Sequence, residues 1–384
     1  MVRELLVNAY LIIFQIGFTL FNVFPQRKKT VFVASFGDNI LYVERALKER
    51  YNGEIIILRD PGCRINFKMD SQTTVLPFNL KRHPVQFIQC IYHLATCQSV
   101  FIDNYFGFLA AAKFRKNVKC VQLWHAAGAV KRFGLKDPST KYRSAKAQAR
   151  FNKVYQTFDH VVVGSEKMAS IFKESFGLTD ERMLRTGVPR SDFFYDKKVL
   201  ERVGSSLHRL YPIIQNKKVI LYAPTFRDHQ LTNPNIQLNL QQLYEELNQD
   251  YVLLMRLHPA VKANFINPYP NFLIDVSSYP NINELLVVTE ILITDYSSIP
   301  YEFSILERPM IFYSYDLEEY KRSRGFWEDY HSTIPGPVVS TTEDIIATIK
   351  RNNFNMEQIK QFAEQWNQYS KGNSSSQLIE KLYK

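Results

Sequence analysis

Short apolar runs alternate with longer amphipathic stretches along most of the chain. The runs are rich in β-branched residues, and such alternation is typical of parallel strands joined by crossover helices. One series of predicted strands covers residues 30–36, 54–58, 73–78, 99–103, 119–124 and 160–164. A second series covers residues 217–223, 251–256, 272–276, 291–294 and 309–313. The pattern therefore predicts an α/β fold with two parallel sheets, one after the other.

The charged segment 192–216 separates the two series and contains no strong β run. A chain of 384 residues also exceeds what one hydrophobic core usually fills. We therefore expect an amino-terminal segment over 1–29, a first domain over 30–200 and a second domain over 201–384, with the boundary between 195 and 216. Polar helices are predicted for the end of the chain.

The amino-terminal segment is almost wholly apolar from residue 5 to residue 24 and is followed by basic residues at 27–29. Its length suits a membrane span with the carboxyl side in the cytoplasm. Asn8, Gln15 and Asn22 recur every seventh position and would form a polar stripe on a helix, which favours a helix lying in the membrane interface. A buried helix of the first domain is the third interpretation. The cancelling charges before the apolar run disfavour a signal peptide.

The net charge of the chain indicates which classes of partner suit it. The 48 Lys and Arg residues exceed the 37 Asp and Glu residues, and the net charge of +11 suits nucleic acid, a phosphate substrate or an acidic membrane surface. No aromatic and basic RNA-binding signature occurs, so we expect no nucleic-acid partner. Segment 131–153 is strongly basic and is predicted either to be solvated or to bind anionic lipid.

The four cysteines lie in core-like segments without a Cys-x-x-Cys pair. This spacing favours buried free thiols over a disulfide or a metal site and suits a reducing cytoplasm. The chain also lacks a P-loop, a Gly-x-Gly-x-x-Gly fingerprint, a nucleophile elbow and a His-Glu-x-x-His helix. These absences disfavour common nucleotidases, dehydrogenases, esterases and zincins. An Asp-x-Asp motif is missing as well, so no metal cage is predicted, although Mg²⁺ could accompany a diphosphate ligand.

Five motifs directly follow or end apolar, β-branched runs. Because loops at the carboxyl ends of parallel strands hold ligands in open α/β sheets, these motifs predict a functional site. They are Trp124-His125-Ala126-Ala127-Gly128, Gly187-Val188-Pro189-Arg190, Tyr222-Ala223-Pro224-Thr225-Phe226-Arg227, Arg256-Leu257-His258-Pro259 and Thr294-Asp295-Tyr296-Ser297-Ser298.

His125 is the candidate general base. A near-neutral imidazole can take a proton from a sugar or glycerol hydroxyl, although a strand-end histidine bonded to backbone is an equal alternative. The small residues up to Gly128 let a helix start there or let a ligand approach the backbone closely.

Basic and hydroxyl side chains in the other motifs indicate an anionic ligand. Arg256 and His258 point to one side of an extended segment and can grip one phosphate. Thr225 and Arg227 offer a hydroxyl and a fork of donors, and Arg190 follows a sharp turn that would aim it across an interdomain cleft. Together they predict a diphosphate site.

Ser297 and Ser298 precede a helix-like stretch and would form a seat for an anion. Glu302, one turn further on, could accept hydrogen bonds from the hydroxyls of glycerol or ribose. Taken one at a time, the two serines are better explained by plain helix capping, which needs no ligand, and only their convergence with the other motifs favours an anion site.

In this order, the five motifs resemble the CDP-glycerol glycerophosphotransferase family of wall teichoic acid synthesis, over about residues 30–350. The resemblance implies two Rossmann-like domains in a GT-B arrangement with the active site in the cleft. It implies catalytic roles for His125 and His258. It further implies donor contacts from Arg190, Pro224, Thr225, Arg256, Ser297 and Ser298. Polymerase members have Asp where this chain has Glu302.

The chain lacks the large extra region of the polymerases and is therefore most like the primase members. That resemblance implies transfer of one sn-glycerol 3-phosphate unit from CDP-glycerol to an undecaprenyl-diphosphate-linked N-acetylmannosaminyl-N-acetylglucosamine, with release of CMP, at the cytoplasmic face of the bacterial cell membrane. The alternatives are a glycerophosphate or ribitol-phosphate polymerase, a GT-B sugar transferase, and a non-catalytic membrane scaffold in which the histidines are structural.

Overall fold

Two parallel β-sheets organise the computed structural model of this chain, which describes residues 2–225, 227, 236–257 and 267–383. Within these ranges the strands are β1 Lys29–Ala34, β2 Glu54–Arg59, β3 Thr73–Pro77, β4 Ser99–Ile102, β5 Lys119–Gln122, β6 His160–Val163, β7 Met183–Arg185, β8 Lys218–Tyr222, β9 Tyr251–Met255, β10 Leu273–Asp275, β11 Ile291–Thr294, β12 Met310–Tyr313 and β13 Val338–Val339. The α-helices are α1 Val2–Phe21, α2 Asp38–Lys48, α3 Pro84–Ala95, α4 Ala145–Gln156, α5 Glu166–Phe176, α6 Lys197–Leu210, α7 Leu240–Leu247, α8 Ile282–Val288, α9 Ile299–Phe303, α10 Leu317–Arg324, α11 Tyr330–Thr333, α12 Thr342–Arg351, α13 Met356–Trp366 and α14 Ser374–Leu382.

Both sheets have the same winding. The first runs in the order β3-β2-β1-β4-β5-β6-β7 and the second in the order β10-β9-β8-β11-β12-β13, with every neighbouring pair parallel. The strand order reverses between β1 and β4 in one sheet and between β8 and β11 in the other. Such reversals open a crevice at the carboxyl ends of the strands, where α/β proteins bind ligands. The predicted α/β fold with two parallel sheets is confirmed.

The predicted strands match observed ones in order and centre, and most end one or two residues earlier than predicted. Two short strands, β7 and β13, were not predicted. Each lies at an edge of its sheet, where three and two residues are too few to show a periodic pattern.

The chain divides into two compact units, and the division does not follow the sequence order. The first unit contains Met1–Ala127, Phe133–Asp192 and Gln368–Lys384, and the second contains Gly128–Arg132 and Phe193–Asn367. The end of the chain, which we expected in the second domain, thus belongs to the first unit.

Helix α14 shows why the end of the chain packs there. Its Leu378 and Ile379 have no exposed surface and belong to the core of the first unit. The carboxylate of Asp192 accepts hydrogen bonds from the amides of Ser374 and Ser375, at 2.8 and 2.9 Å, and so caps the helix.

Helix α1 packs one face against the first unit. Phe14 and Phe18 are buried there, and their rings contact Phe87, Phe108 and Phe114. The remaining surface of the helix carries large apolar side chains that are more than half exposed: Leu5, Leu6, Ile12, Ile13, Ile16 and Leu20. Among the described residues, 4–21 also form the helix with the length and hydropathy to cross a membrane. The first face therefore packs as a helix of the first unit does, whereas the second face is an exposed apolar patch of the kind that marks interaction surfaces.

The four cysteines are buried free thiols, as predicted.

Candidate active site

His125 lies in the loop after β5, at the carboxyl edge of the first sheet. Its Nδ1 is 3.3 Å from the carbonyl oxygen of Asp103. A carbonyl oxygen only accepts, so Nδ1 carries a proton in this contact, and in the neutral imidazole the lone pair then lies on Nε2. The imidazole also stacks on Phe36 and Trp124, with ring centroids 4.2 and 4.4 Å apart. The hydrogen bond and the stacking therefore fix the orientation of the ring and the tautomer of its neutral form.

The residue before His125 has a strained backbone. Trp124 has φ of 57°, a left-handed conformation that side chains other than glycine rarely adopt. Two buried amides stabilise it: Gln122 Oε1 accepts from Trp124 N at 2.8 Å, and Asn39 Nδ2 donates to Trp124 O at 2.8 Å. Strain of this kind persists only where the surroundings fix it, and it is concentrated at functional sites.

Asp103 follows β4 and fixes the turn after β1. Its carboxylate accepts hydrogen bonds from the amides of Ser35, Phe36 and Gly37, at 2.8, 3.0 and 2.6 Å. Gly37 has φ of 93°, which glycine adopts without strain. Burial raises the pKa of Asp103 to about 6, and the three amides offset part of that rise. The protein's own carboxylate thus occupies the turn amides that bind a phosphate in many α/β proteins.

Arg190 is joined to the His125 loop. Its Nη1 donates to the carbonyl oxygen of His125 at 2.9 Å, and its backbone N–H donates to Asn39 Oδ1 at 3.0 Å. The loops after β5 and β7 therefore form one hydrogen-bonded group within the first unit.

Asp295 occupies the corresponding place in the second sheet, at the end of β11. Its Oδ1 accepts from the backbone N–H groups of Thr225 and Tyr296, both at 2.7 Å. Its Oδ2 accepts from Arg227 Nη1 at 2.9 Å. The same arrangement of an aspartate and a facing loop thus recurs in both units.

Arg227 forms a buried ion pair with two carboxylates. Besides Asp295, its Nε and Nη2 donate to the two oxygens of Asp316 at 2.8 and 2.9 Å, and its side chain is 5% exposed. Burial lowers the pKa of Arg227, but the two carboxylates outweigh that effect and raise it. We predicted a diphosphate contact for this guanidinium, whereas the structure shows it engaged in binding the loop after β8 to the loops after β11 and β12.

Several predicted donor residues lie at the same carboxyl edge of the second sheet. Pro224 and Thr225 follow β8, and the buried Thr225 Oγ1 has no hydrogen-bond partner among the residues that the structure describes. Arg256 follows β9, and its Nη1 donates to the carbonyl oxygen of Tyr279 at 2.7 Å.

The paired serines precede α9 as predicted. Ser297 Oγ accepts from the N–H of Ile299 at 3.2 Å, which is a local capping contact, and Ser298 occupies the N-cap position. Glu302 lies within α9, is 2% exposed and has its Oε1 3.4 Å from Asn283 Nδ2. Its carboxylate is thus more deeply buried than we expected for a group that meets ligand hydroxyls. His258 lies outside the described residues.

Gly128 has a packing role in the second unit. A Cβ at this position would overlap the ring of Tyr301, which is buried on α9. The close approach that we attributed to a ligand is thus made by an aromatic side chain.

Comparisons with known proteins identify the family. The family model described as CDP-glycerol:poly(glycerophosphate) glycerophosphotransferase matches residues 16–384. The chain belongs to this glycerophosphotransferase family. It is 38% identical to the teichoic acid glycerol-phosphate primase of Bacillus subtilis (strain 168), over 98% of this chain and 97% of that protein. It is 32% identical to the teichoic acid ribitol-phosphate polymerase TarL of Staphylococcus aureus, over 76% of this chain and 52% of that protein.

Solved structures support the fold of this glycerophosphotransferase. The structure of the wall teichoic acid polymerase TagF matches with a TM-score of 0.81 at 22% identity, over 100% of this chain and 98% of that chain. A UDP-GlcNAc 2-epimerase from Neisseria meningitidis matches with a TM-score of 0.59 at 16% identity, over 92% of this chain and 98% of that chain. The family and its relatives make the chain a CDP-glycerol glycerophosphotransferase of teichoic acid synthesis and cell wall biogenesis, with CDP-glycerol as its donor.

The sequence did not indicate every residue that shapes the glycerophosphotransferase site. Asn39, Asp103 and Gln122 position the His125 loop, yet none belongs to a recognised motif. Asp103 ended a predicted strand, so its place at the strand-order reversal was the signal that could have indicated it.

We expect Gly128→Ala to destabilise the second unit by about 1–3 kcal/mol, because the new methyl group overlaps the ring of Tyr301. Urea unfolding measures the effect. Gly204→Ala is the matched control, because Gly204 lies in helix α6 of the same unit. A Cβ there would meet only the side chain of Val287, at 3.9 Å. Alanine there should be neutral or slightly stabilising. Equal unfolding midpoints for the two variants would contradict the packing role.

We expect Arg227→Ala to destabilise the second unit by about 3–5 kcal/mol, because Asp295 and Asp316 would keep buried charges without a partner. Thermal unfolding measures this loss. Lys350→Ala breaks the exposed pair with Glu246 and should cost less than about 1 kcal/mol. A stable Arg227→Ala protein with a raised KM for CDP-glycerol would instead restore the predicted diphosphate contact.

Proposed function

We propose that this glycerophosphotransferase is a primase that adds a single sn-glycerol 3-phosphate unit to an undecaprenyl-diphosphate-linked N-acetylmannosaminyl-N-acetylglucosamine and releases CMP. The 38% identity to the teichoic acid glycerol-phosphate primases of Bacillus subtilis and Bacillus spizizenii carries this proposal. A poly(glycerol phosphate) polymerase of Bacillus spizizenii is 31% identical over 97% of its own length. Length therefore does not separate the two activities, and polymerisation is the second candidate.

In the proposed reaction, Nε2 of His125 takes the proton of the acceptor hydroxyl. The freed oxygen attacks the phosphorus that carries glycerol, and a new oxygen–phosphorus bond forms. The bond between that phosphorus and the bridging oxygen breaks, and CMP leaves with the electron pair. The contact of Nδ1 with Asp103 supports this role, because it keeps the lone pair on Nε2.

We assign the donor diphosphate to Arg190, Arg256, Thr225, Ser297 and Ser298, with Pro224 and Gly128 shaping the adjoining loops. The buried hydroxyl of Thr225 has no hydrogen-bond partner among the described residues, and this supports the assignment, because such a group gains a hydrogen bond when a ligand arrives. In phosphoryl transfer, most of the catalysis comes from cationic and hydroxyl donors that are already placed where negative charge develops in the transition state.

His258 remains a predicted contact to the same diphosphate. Glu302, which is buried in α9, is proposed to accept a hydrogen bond from a donor hydroxyl. Arg227 is proposed to stabilise the donor loops through its two carboxylates rather than to contact the donor.

We further propose that the enzyme acts at the cytoplasmic face of the membrane, with α1 in the interface. The exposed apolar face of α1 supports this, and a contact between Glu4 and Ser144 brings the start of α1 beside the basic segment 131–153. Lys141, Lys146 and Lys153 in that segment are exposed. An apolar face beside exposed cations suits an anionic lipid surface.

The reaction is tested by mass spectrometry of purified protein incubated with CDP-glycerol and the lipid-linked disaccharide. We expect one added glycerophosphate per acceptor. A ladder of products would identify a polymerase, transfer from a nucleoside-diphosphate sugar would identify a sugar transferase, and an unchanged acceptor with intact donor would leave only the scaffold.

In the same assay, His125→Ala should lower kcat by about 100-fold or more with only a small fall in the melting temperature, because it removes a base whose half-buried ring stacks on Phe36 and Trp124 but is not part of the core. His160→Ala is the matched control, since His160 is also half-buried and begins β6 at the opposite edge of the same sheet. Near-normal turnover in a folded His125→Ala protein would refute the proposed base.

The membrane role is tested by replacing Ile12, Ile16 and Leu20 together with Glu, which changes only the exposed face of α1. We expect weaker flotation with anionic vesicles and unchanged activity on a short-chain soluble acceptor. Residual binding should fall with salt, because it rests on exposed cations. Leu210→Glu, on an apolar side chain exposed to a similar degree in α6, is the control. Undiminished, salt-insensitive flotation of the triple variant would contradict the interfacial helix.

A further inference from the structure

Asn39 has its whole side-chain amide engaged between two loops of the site. It lies in the first turn of α2 and is 2% exposed. Its Nδ2 donates to Trp124 O at 2.8 Å, and its Oδ1 accepts from Arg190 N at 3.0 Å. One partner is a carbonyl that only accepts and the other is an N–H that only donates, so the orientation of the amide is fixed by chemistry.

These bonds belong to a closed circuit. Asn39 contacts the residue before His125 and the backbone of Arg190, and Arg190 Nη1 returns to the carbonyl of His125 at 2.9 Å. The circuit is anchored behind Asn39, because the Asp103 carboxylate holds the amide of Gly37 at 2.6 Å, at the start of the same helix.

The circuit explains how the strained loop keeps its shape. Trp124 has φ of 57°, and without the Asn39 bond its carbonyl would lose the contact that opposes relaxation. His125 follows directly, so relaxation there would move the imidazole. A displacement of about 1 Å in a reacting group can lower a rate by about 100-fold.

We propose that Asn39 is a positioning residue that fixes the His125 loop and the Arg190 loop to each other during glycerophosphate transfer. The proposal rests on the proposed roles of His125 as base and Arg190 as donor contact. The hydrogen bond from Nδ2 of Asn39 then supports kcat, because it positions His125. The hydrogen bond to Oδ1 supports donor binding, because it positions Arg190.

Two variants separate these assignments. Asn39→Asp has nearly the same shape, keeps an oxygen for Arg190 N and loses the donor to Trp124 O. We expect kcat to fall about 10- to 100-fold with KM for CDP-glycerol changed less than about threefold. Asn39→Ala loses both bonds, so we expect a similar fall in kcat and a rise in KM of about tenfold.

Thr96→Val is the matched control for loss of a buried hydrogen bond. Thr96 is fully buried in the same unit, and its Oγ1 donates to Tyr92 O at the end of α3, before the amino end of β4. At a comparable fall in melting temperature, this variant should keep wild-type kcat and KM. If the Asn39 variants behave like Thr96→Val, or if Asn39→Asp raises KM as much as Asn39→Ala does, the positioning role is overturned.

A double variant distinguishes failure of this proposal from failure of the proposed base. Adding Asn39→Asp to His125→Ala should lower kcat by less than about twofold further, because both changes act through one imidazole. Near-normal turnover in His125→Ala alone would overturn the proposed base and the positioning role together, whereas a wild-type protein that transfers no glycerophosphate would overturn the proposed function itself. A His125→Ala protein with kcat lowered about 100-fold, in which Asn39→Asp still causes its full further loss, would overturn only the positioning role.

Discussion

The hydrogen bonds that a buried carboxylate accepts, at the point where strand order reverses, hold together the loops at the carboxyl edge of each sheet. In the first sheet Asp103 binds the amides of the turn after β1, and in the second sheet Asp295 binds the amide of Thr225 after β8. Each bond joins loops that are far apart in sequence but adjacent at the carboxyl edge of a sheet. A charge-assisted hydrogen bond from a backbone amide to a buried carboxylate is strong, and breaking it would leave the charge with one partner fewer.

The two units have different side chains around this shared arrangement of an aspartate and a facing loop. In the first unit the carbonyl of Asp103 orients His125, and the carboxylate fills the turn where a phosphate would otherwise bind. In the second unit the same position recruits Arg227 and, through it, Asp316. A fold built twice from the same winding thus yields one loop cluster centred on an imidazole and another centred on a buried ion pair.

Sequence patterns predicted the strands well because a buried parallel strand must be apolar along its length, as β1 and β11 are. They also located the loops after β5, β8, β9 and β11, because glycine, proline and hydroxyl residues interrupt those runs. They did not predict the partners of Arg227, since Asp295 and Asp316 lie 68 and 89 residues away along the chain. The sequence patterns missed Asn39 for the same reason, because the two loops that its amide contacts are distant in sequence and come together only in the folded protein.

The return of α14 to the first unit affects how the protein is made. Leu378 and Ile379 complete a hydrophobic core whose other buried members all precede residue 163. The second unit, in contrast, draws its main segment from one uninterrupted stretch, Phe193–Asn367. Domains generally fold as units during synthesis, amino-terminal ones first. This chain departs from that order, because the first unit cannot complete its core until helix α14 has been synthesised, after the whole of the second unit.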